Sequence, residues 1–234
     1  MLFRSNSGTF TLSSPPNFQG PGTVQMTGGN LTLNAFTGTF TLNGVTLVGD
    51  NMVAATGTIN LNGSPLGNGA TLTIASNAVL NIQTSTTFSG VVTNLGTVNW
   101  LASNVSLNTN APATGTIWNQ AGALFDMQCD QVVVNGNLPA TFHNAGLVRK
   151  RIATGTTTFN TFFDNSGSVQ AQTGTINFAN GGNLGGSFQA NSGATINFTG
   201  GTYTLSSPPN FQGPGTVQFT AGNLTLNAFT GTFT

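Results

Sequence analysis

Charged side chains are so scarce in this 234-residue sequence that the places where they cluster are the first candidates for chemistry. They make up 3% of the residues, and the formal net charge is zero. The basic run Arg149–Arg151 is the densest cluster, and the acidic residues nearest to it are Asp126, Asp130 and Asp164. Such a group could be a buried ion pair, a set of solvated charges on a distorted strand or a functional site.

His143 and Cys129 are the single histidine and the single cysteine of the chain. His143 near Asp164 could suggest acid–base chemistry, but no Ser or Cys nucleophile is placed with them. Cys129 lacks the ligand spacing of a zinc site, and the absence of Glu argues against calcium binding. The four aspartates form no evident pair of facing carboxylates for glycoside cleavage. We therefore expect no catalytic, cofactor-binding or metal site, and no enzyme.

The overall composition also narrows the classes of partner. A neutral chain gives no reason to expect a nucleic acid or an acidic membrane surface as partner. No apolar stretch approaches the roughly 20 residues of a membrane-spanning helix. Hydrophobic residues make up 38% of the chain and 18 residues are Phe, which predicts an ordered body rather than a disordered one.

A long internal repeat sets the organisation of the chain. Residues 8–41 return as residues 201–234, and 31 of the 34 aligned residues are identical, with differences only at Phe10/Tyr203, Met26/Phe219 and Gly28/Ala221. The offset is 193 residues (201 − 8), so the chain is one period of a tandem array plus the beginning of the next. No composition shift divides it, and we expect one continuous body over residues 1–234.

A shorter repeat lies within the long one. Glycines that precede a Thr, Val, Ala or Leu run recur every 21–27 residues, at Gly22, Gly44, Gly69, Gly96, Gly122, Gly146, Gly167, Gly193 and Gly215. This spacing predicts eight units of about 24 residues per 193-residue repeat, each too small to bury a core alone. The units must therefore stack.

Short runs of alternating apolar and polar residues indicate that each unit consists of β-strands. Asn-Gly pairs such as Asn43-Gly44 could instead mark the hairpins of an antiparallel sandwich. However, residues at the same distance from successive glycines have the same chemical character, as a stack of parallel coils about 4.8 Å apart requires. We therefore predict an all-β parallel solenoid.

The glycine spacing also predicts two structural sets of polar side chains. Two residues before successive glycines stand amides that should form one interior ladder: Asn94, Gln120, Asn144, Asn165 and Asn191. Asp126 and Lys150 both lie four residues after their glycines, which predicts a buried ion pair one coil apart. Arg149 and Arg151 should point outward. Val92, Trp118, Phe142 and Phe163, four residues before their glycines, should stack in the core.

One passage resembles a known class of repeat. FHNAGLVRKRIATGTTTFNTFFDNSGSVQAQTGTINFANGGNLGGSF, residues 142–188, is similar to the β-helical tandem repeats of very large secreted or surface proteins of bacteria, in which F-x-N-x-G recurs around Gly-Thr-rich strands. The resemblance implies a right-handed single-stranded parallel β-helix that serves as a stalk, fibre or adhesin segment outside the cell or on its surface.

The expected function is accordingly structural. Residues 8–41 and 201–234 should form superimposable coils, eight coils or roughly 38 Å apart, and open ends should associate head to tail into filaments. Binding of surface glycans is an alternative, with exposed aromatics such as Trp100 or Tyr203 as its cue. An ice-binding solenoid with Thr-x-Thr arrays is a further alternative.

Overall fold

A computed structural model describes residues 7–12, 25–108, 115–136, 140–205 and 207–226. Parts of both duplicated segments, residues 13–24, 206 and 227–234, therefore lie outside the described residues. The described part of the chain consists of strands, turns and bends, without a helix.

The described residues form 29 short strands. The first ten are β1 (Thr9–Leu12), β2 (Gln25–Thr27), β3 (Asn30–Leu33), β4 (Thr39–Asn43), β5 (Thr46–Leu47), β6 (Asp50–Val53), β7 (Thr58–Asn62), β8 (Thr71–Ile74), β9 (Val79–Ile82) and β10 (Thr86–Phe88). The next ten are β11 (Val91–Asn94), β12 (Thr97–Trp100), β13 (Val105–Leu107), β14 (Thr116–Asn119), β15 (Leu124–Met127), β16 (Val132–Asn135), β17 (Thr141–Asn144), β18 (Leu147–Lys150), β19 (Thr156–Phe159) and β20 (Phe162–Asn165). The last nine are β21 (Ser168–Ala171), β22 (Thr175–Phe178), β23 (Gly182–Leu184), β24 (Ser187–Ala190), β25 (Thr195–Phe198), β26 (Thr202–Leu205), β27 (Asn210–Gln212), β28 (Thr216–Phe219) and β29 (Asn223–Leu226).

Three parallel sheets enclose one core, and the chain passes through them in a fixed order. Sheet I consists of two groups of strands, β1-β3-β5 and β10-β13-β16-β19-β22-β25-β28. Leu66 joins the two groups, because it pairs with Leu47 on one side and with Phe88 on the other. Sheet II has the order β29-β26-β23-β20-β17-β14-β11-β8-β6, and sheet III has the order β2-β4-β7-β9-β12-β15-β18-β21-β24-β27. Each coil runs from sheet I to sheet II to sheet III, and every strand pairs in parallel with the strand one coil away. The predicted all-β parallel solenoid is confirmed.

Side chains alternate between core and surface along the strands, because successive residues of a strand point to opposite faces. In β11, Val92 and Asn94 are buried while Val91 and Thr93 are partly exposed. The buried positions form one continuous hydrophobic cluster along the axis. Phenylalanine rings stack through its centre, with neighbouring centroids 4.4–5.6 Å apart, at Phe125, Phe142, Phe159, Phe163 and Phe178.

The coils are shorter than the glycine spacing predicts. Sheet III has ten strands, so Thr41 of β4 and Gln212 of β27 are eight coils apart over 171 residues (212 − 41), about 21 residues a coil. The predicted number of eight coils per repeat is therefore too low, and the predicted length of about 24 residues a coil is too high. The error arises because the glycines do not all lie at the same corner, where a corner is the turn between two sheets. Gly96 precedes a strand of sheet III, whereas Gly193 precedes a strand of sheet I.

The duplicated segments consequently lie on different sides of the solenoid. β1 belongs to sheet I, but β26, whose sequence matches β1, belongs to sheet II. β25 lies nine coils after β1 along sheet I, and β26 follows β25 at the next corner. The long repeat is therefore nine coils plus one corner, so its two copies are not separated by the eight whole coils that the glycine spacing predicts.

Close contact between coils requires glycine at one corner between sheets I and II. Gly90 directly precedes β11, and a methyl group there would overlap the carbonyl oxygen of Ala70 in the preceding coil. That carbonyl oxygen accepts a hydrogen bond of 3.0 Å from the backbone N–H of Val91. The absence of a side chain at Gly90 thus allows sheet II to keep its spacing.

Candidate functional sites

An interior ladder of asparagine side chains stabilises the corner between sheets II and III. Each ladder residue ends a strand of sheet II, and its Nδ2 donates to Oδ1 of the next: Asn94 to Asn119 at 2.8 Å, Asn119 to Asn144 at 2.8 Å, and Asn144 to Asn165 at 2.7 Å. All four are at most 3% exposed. The ladder ends where Asn165 donates to the carbonyl oxygen of Gly185 at 2.6 Å.

Two of the five amides predicted for this ladder lie elsewhere. Gln120 is replaced in the ladder by its neighbour Asn119, because the corner Gln120–Ala123 has two residues more than the corner Ala145–Gly146. Asn191 follows β24 at the corner between sheets III and I. Its backbone carbonyl oxygen accepts the turn hydrogen bond of Ala194 at 2.9 Å.

Lys150 is fully buried and is held by three oxygen atoms. Its Nζ donates to Asp130 Oδ1 at 2.5 Å, to Thr157 Oγ1 at 2.9 Å and to the carbonyl oxygen of Cys129 at 3.1 Å. Asp130 Oδ2 also accepts the backbone N–H of Gly155 at 2.9 Å. Lys150 thereby ties the arc that follows β15 to β19, with every donor on its ammonium group occupied.

Asp126 is only 1% exposed, although it occupies an outward position of sheet III. Arg149 Nε donates to its Oδ1 at 2.9 Å, while Arg151 Nε and Gln128 Nε2 donate to its Oδ2 at 2.7 and 2.8 Å. The two arginines lie over the carboxylate and, as predicted, point outward. All of these contacts neutralise charge within the chain, and they leave the carboxylate no room for a ligand.

The predicted Asp126–Lys150 ion pair is therefore wrong. β15 and β18 pair so that Asp126 lies opposite Arg149, and Lys150 lies opposite Met127. The prediction equated Gly122 with Gly146, whereas the residue aligned with Gly146 is Ala123. This shift of one residue places Asp126 on the surface side of the sheet and Lys150 on the core side, so each charge has a different partner.

Burial makes the thiol of Cys129 a poor nucleophile. Desolvation raises the pKa of Cys129 from its ordinary value of 9.0 to about 11; Lys150 lowers it and Asp130 raises it by smaller amounts. Because the thiolate is the reactive form, a shift of this size lowers its fraction at pH 8 about 100-fold.

We expect the native protein to react with an aromatic disulfide reagent at pH 8 at least ~100-fold more slowly than the urea-unfolded protein, because both burial and the raised pKa suppress attack by Cys129. Release of the coloured thiol gives both rates, and free cysteine in the same two buffers is the control for the reagent. A native rate equal to the unfolded rate would show that Cys129 is accessible and ionised in the folded chain.

A shallow groove on the outer face of sheet II contains the remaining polar cluster. Trp118 and His143 lie in register on neighbouring strands, with ring centroids 3.7 Å apart and planes inclined by 7°. His143 Nδ1 lies 2.9 Å from Asp164 Oδ2, and Asp164 Oδ1 accepts a 3.3 Å hydrogen bond from Asn183. Gln120 and the corner after β17 complete a cavity of about 110 Å³.

The structure places the aromatic residues differently from the sequence prediction. Trp100 and Tyr203, the expected surface aromatics, are both fully buried, and they donate hydrogen bonds to the carbonyl oxygens of Ser103 and Phe178. Trp118, the expected core residue, is 40% exposed. Ile117 occupies the core position instead, in register with Val92 and Phe142.

Sequence reasoning also missed a surface ladder on sheet III and one buried amide. The surface ladder runs through Thr41, Asn60, Asn81 and Asn99, with side-chain hydrogen bonds of 2.8–3.1 Å. The buried amide is Asn51, which accepts from the backbone N–H of Leu33 and donates to the carbonyl oxygens of Val48, Gly49 and Thr71. Alignment on the Asn residues rather than on the glycines would have revealed both the surface ladder and Asn119.

Comparison with protein-family models, curated proteins and solved structures finds no match to this chain. Among the described residues, His, Cys, Asp and Glu nowhere gather in a group of three or more that could hold a metal ion. The same part of the chain contains no helix of the length and apolarity needed to cross a membrane.

Proposed function

We propose that this chain is a structural segment of a secreted or cell-surface fibre, in which solenoids associate head to tail. Parallel backbone pairing and a single continuous core along the axis support a mechanical role. The secreted or surface location is inferred from the resemblance of residues 142–188 to the β-helical repeats of large bacterial surface proteins. The clusters around Asp126, on the surface side of sheet III, and around Lys150, on the core side, serve this role by pairing these buried charges within the chain.

The observation that carries this proposal is the different burial of identical residues in the two copies of the repeated segment. Leu31 and Leu33 of β3 are fully buried, because the coil beginning at β5 covers them. The same residues of the second copy, Leu224 and Leu226 of β29, are 37% and 53% exposed. Within the described residues, β29 pairs only with β26, so in this part of the chain the other edge of β29 and its apolar surface are available to a further coil.

A second copy of this chain is the partner that fits this edge. A parallel coil of the same cross-section continues both the backbone hydrogen bonds and the core, as the coil that begins at β5 does for β3. Contacts between two different ends of identical molecules produce filaments when the rotation between neighbours does not close a ring, and molecules stacked along one axis do not close. An ice-binding role has less support, because the outer positions of sheet II change from Thr93 to Trp118 and His143 instead of repeating Thr.

We expect sedimentation velocity to show larger species as the concentration rises, and Leu224→Lys to suppress them at least tenfold, because it places a charge on the apolar edge of β29. Thr225→Lys is the matched control, since Thr225 is the neighbouring outward residue and should leave association unchanged. A wild-type chain that stays monomeric at every concentration would overturn the proposal, as would equal behaviour of the two variants.

A further inference from the structure

The groove at Trp118 differs from the rest of the described surface in offering an aromatic side chain beside unused hydrogen-bonding groups. The indole is 40% exposed, and its N–H makes no hydrogen bond within the described chain. The side-chain amide of Gln120 likewise has no partner among the described residues. Buried or packed indole N–H groups are normally paired, so an unpaired one at a groove is available to a ligand.

The shape of the groove follows from unequal corners between sheets II and III. The four-residue corner Gln120–Ala123 has two residues more than the corners Ala145–Gly146 and Ser166–Gly167 in the next two coils. The cavity of about 110 Å³ lies where the long corner meets the two short ones, beside Trp118 and His143. Below its floor the Asn119–Asn144–Asn165 ladder fixes the ends of the three strands, so the groove is formed before any ligand binds.

The polar groups of the groove are held in place because Trp118, His143 and Asp164 lie in register on three neighbouring strands. Asp164 holds His143 by a 2.9 Å contact to Nδ1, and His143 in turn stacks on one face of the Trp118 indole. This leaves the other ring nitrogen of His143 and the 39% exposed side chain of Asp164 for an external partner. One apolar surface with several fixed donors and acceptors is the usual composition of a small-molecule site.

We propose that this groove binds a neutral saccharide. The exposed part of the Trp118 indole contacts the apolar C–H groups of a sugar ring, and Gln120, His143 and Asp164 exchange hydrogen bonds with its hydroxyl groups. The carboxylate of Asp164 at the rim disfavours anionic sugars. This inference is independent of self-association, because the groove lies on the side of the central coils, away from β1 and β29.

The test uses three neutral hexasaccharides, cellohexaose, maltohexaose and hexa-N-acetylchitohexaose, with the full chain. Trp100 is fully buried, so quenching of fluorescence by acrylamide reports on Trp118. We expect at least one hexasaccharide to protect Trp118 from acrylamide in a saturable manner. In calorimetric titrations with that sugar, Trp118→Ala should weaken binding at least tenfold and Gln120→Ala about threefold.

Met52→Ala is the matched control. Met52 lies on the same outer column of sheet II as Trp118 and is 42% exposed, against 40% for Trp118, so its removal should leave both thermal stability and binding unchanged. Absence of saturable binding with all three sugars would overturn the inference. It would also be overturned by unchanged affinity in Trp118→Ala, or by an equal loss in Met52→Ala.

Discussion

Replacement of Asp130 by alanine is expected to lower the free energy of unfolding by about 2–4 kcal/mol. Among the described residues, Asp130 supplies the only carboxylate that contacts the ammonium group of the fully buried Lys150, and a buried charge that loses its partner is strongly destabilising. The value lies toward the low end of the range for buried pairs, because the side chain of Asp130 is itself 37% exposed and water can enter.

Urea unfolding of a double-mutant cycle measures this effect. Asp130→Ala combined with Lys150→Met should recover most of the loss, because the second change removes the buried charge and leaves the Thr157–Cys129 hydrogen bond in place. Asp50→Ala is the control: within the described part of the chain the Asp50 carboxylate accepts a hydrogen bond only from the hydroxyl of Thr71 at the surface, and its removal should cost at most about 0.5 kcal/mol. Additive effects in the cycle would show that Lys150 does not depend on Asp130.

Asn144→Leu is expected to lower the free energy of unfolding by about 3 kcal/mol. Asn144 accepts from Asn119 and donates to Asn165 Oδ1 and to the carbonyl oxygen of Ser168, all in the interior. A leucine leaves several of these groups buried without a partner, and each such group costs about 1–3 kcal/mol.

The matched control for Asn144 is Asn81 on the surface ladder of sheet III. Asn81 makes the same kind of bonds, donating to Asn60 and accepting from Asn99 at 2.8 and 2.9 Å, but its ladder faces solvent. Water can replace the lost partners there, so Asn81→Leu should cost about 1 kcal/mol or less. Equal losses in urea unfolding of the two variants would mean that burial does not set the strength of the Asn144 ladder.

The sequence was sufficient to predict the fold class and part of the interior ladder. Strict alternation along short strands identifies strands with one buried face, and equal spacing of Asn144 and Asn165 from Gly146 and Gly167 places their amides one above the other. These inferences hold because both corners contain the same number of residues. Wherever corners are equal, register follows from simple counting.

Counting failed where a corner gains residues. One of the two additional residues in Gln120–Ala123 lies on each side of Gly122, so counting from this glycine is wrong by one residue on both strands, and Ile117 rather than Trp118 faces the core. Because of the same shift, Lys150 was predicted to form an ion pair with Asp126, whereas its carboxylate partner is Asp130. A one-residue error in register reverses the face of every side chain in a strand. Glycine at a corner reports a turn but not which of the three corners it occupies.

Cryo-electron microscopy of the concentrated full chain is the direct test of head-to-tail association. We expect unbranched filaments one solenoid wide, in which strands about 4.8 Å apart continue without interruption from β29 of one molecule into the first coils of the next. Separate short particles at every concentration, or filaments in which the molecules contact each other side by side, would contradict it.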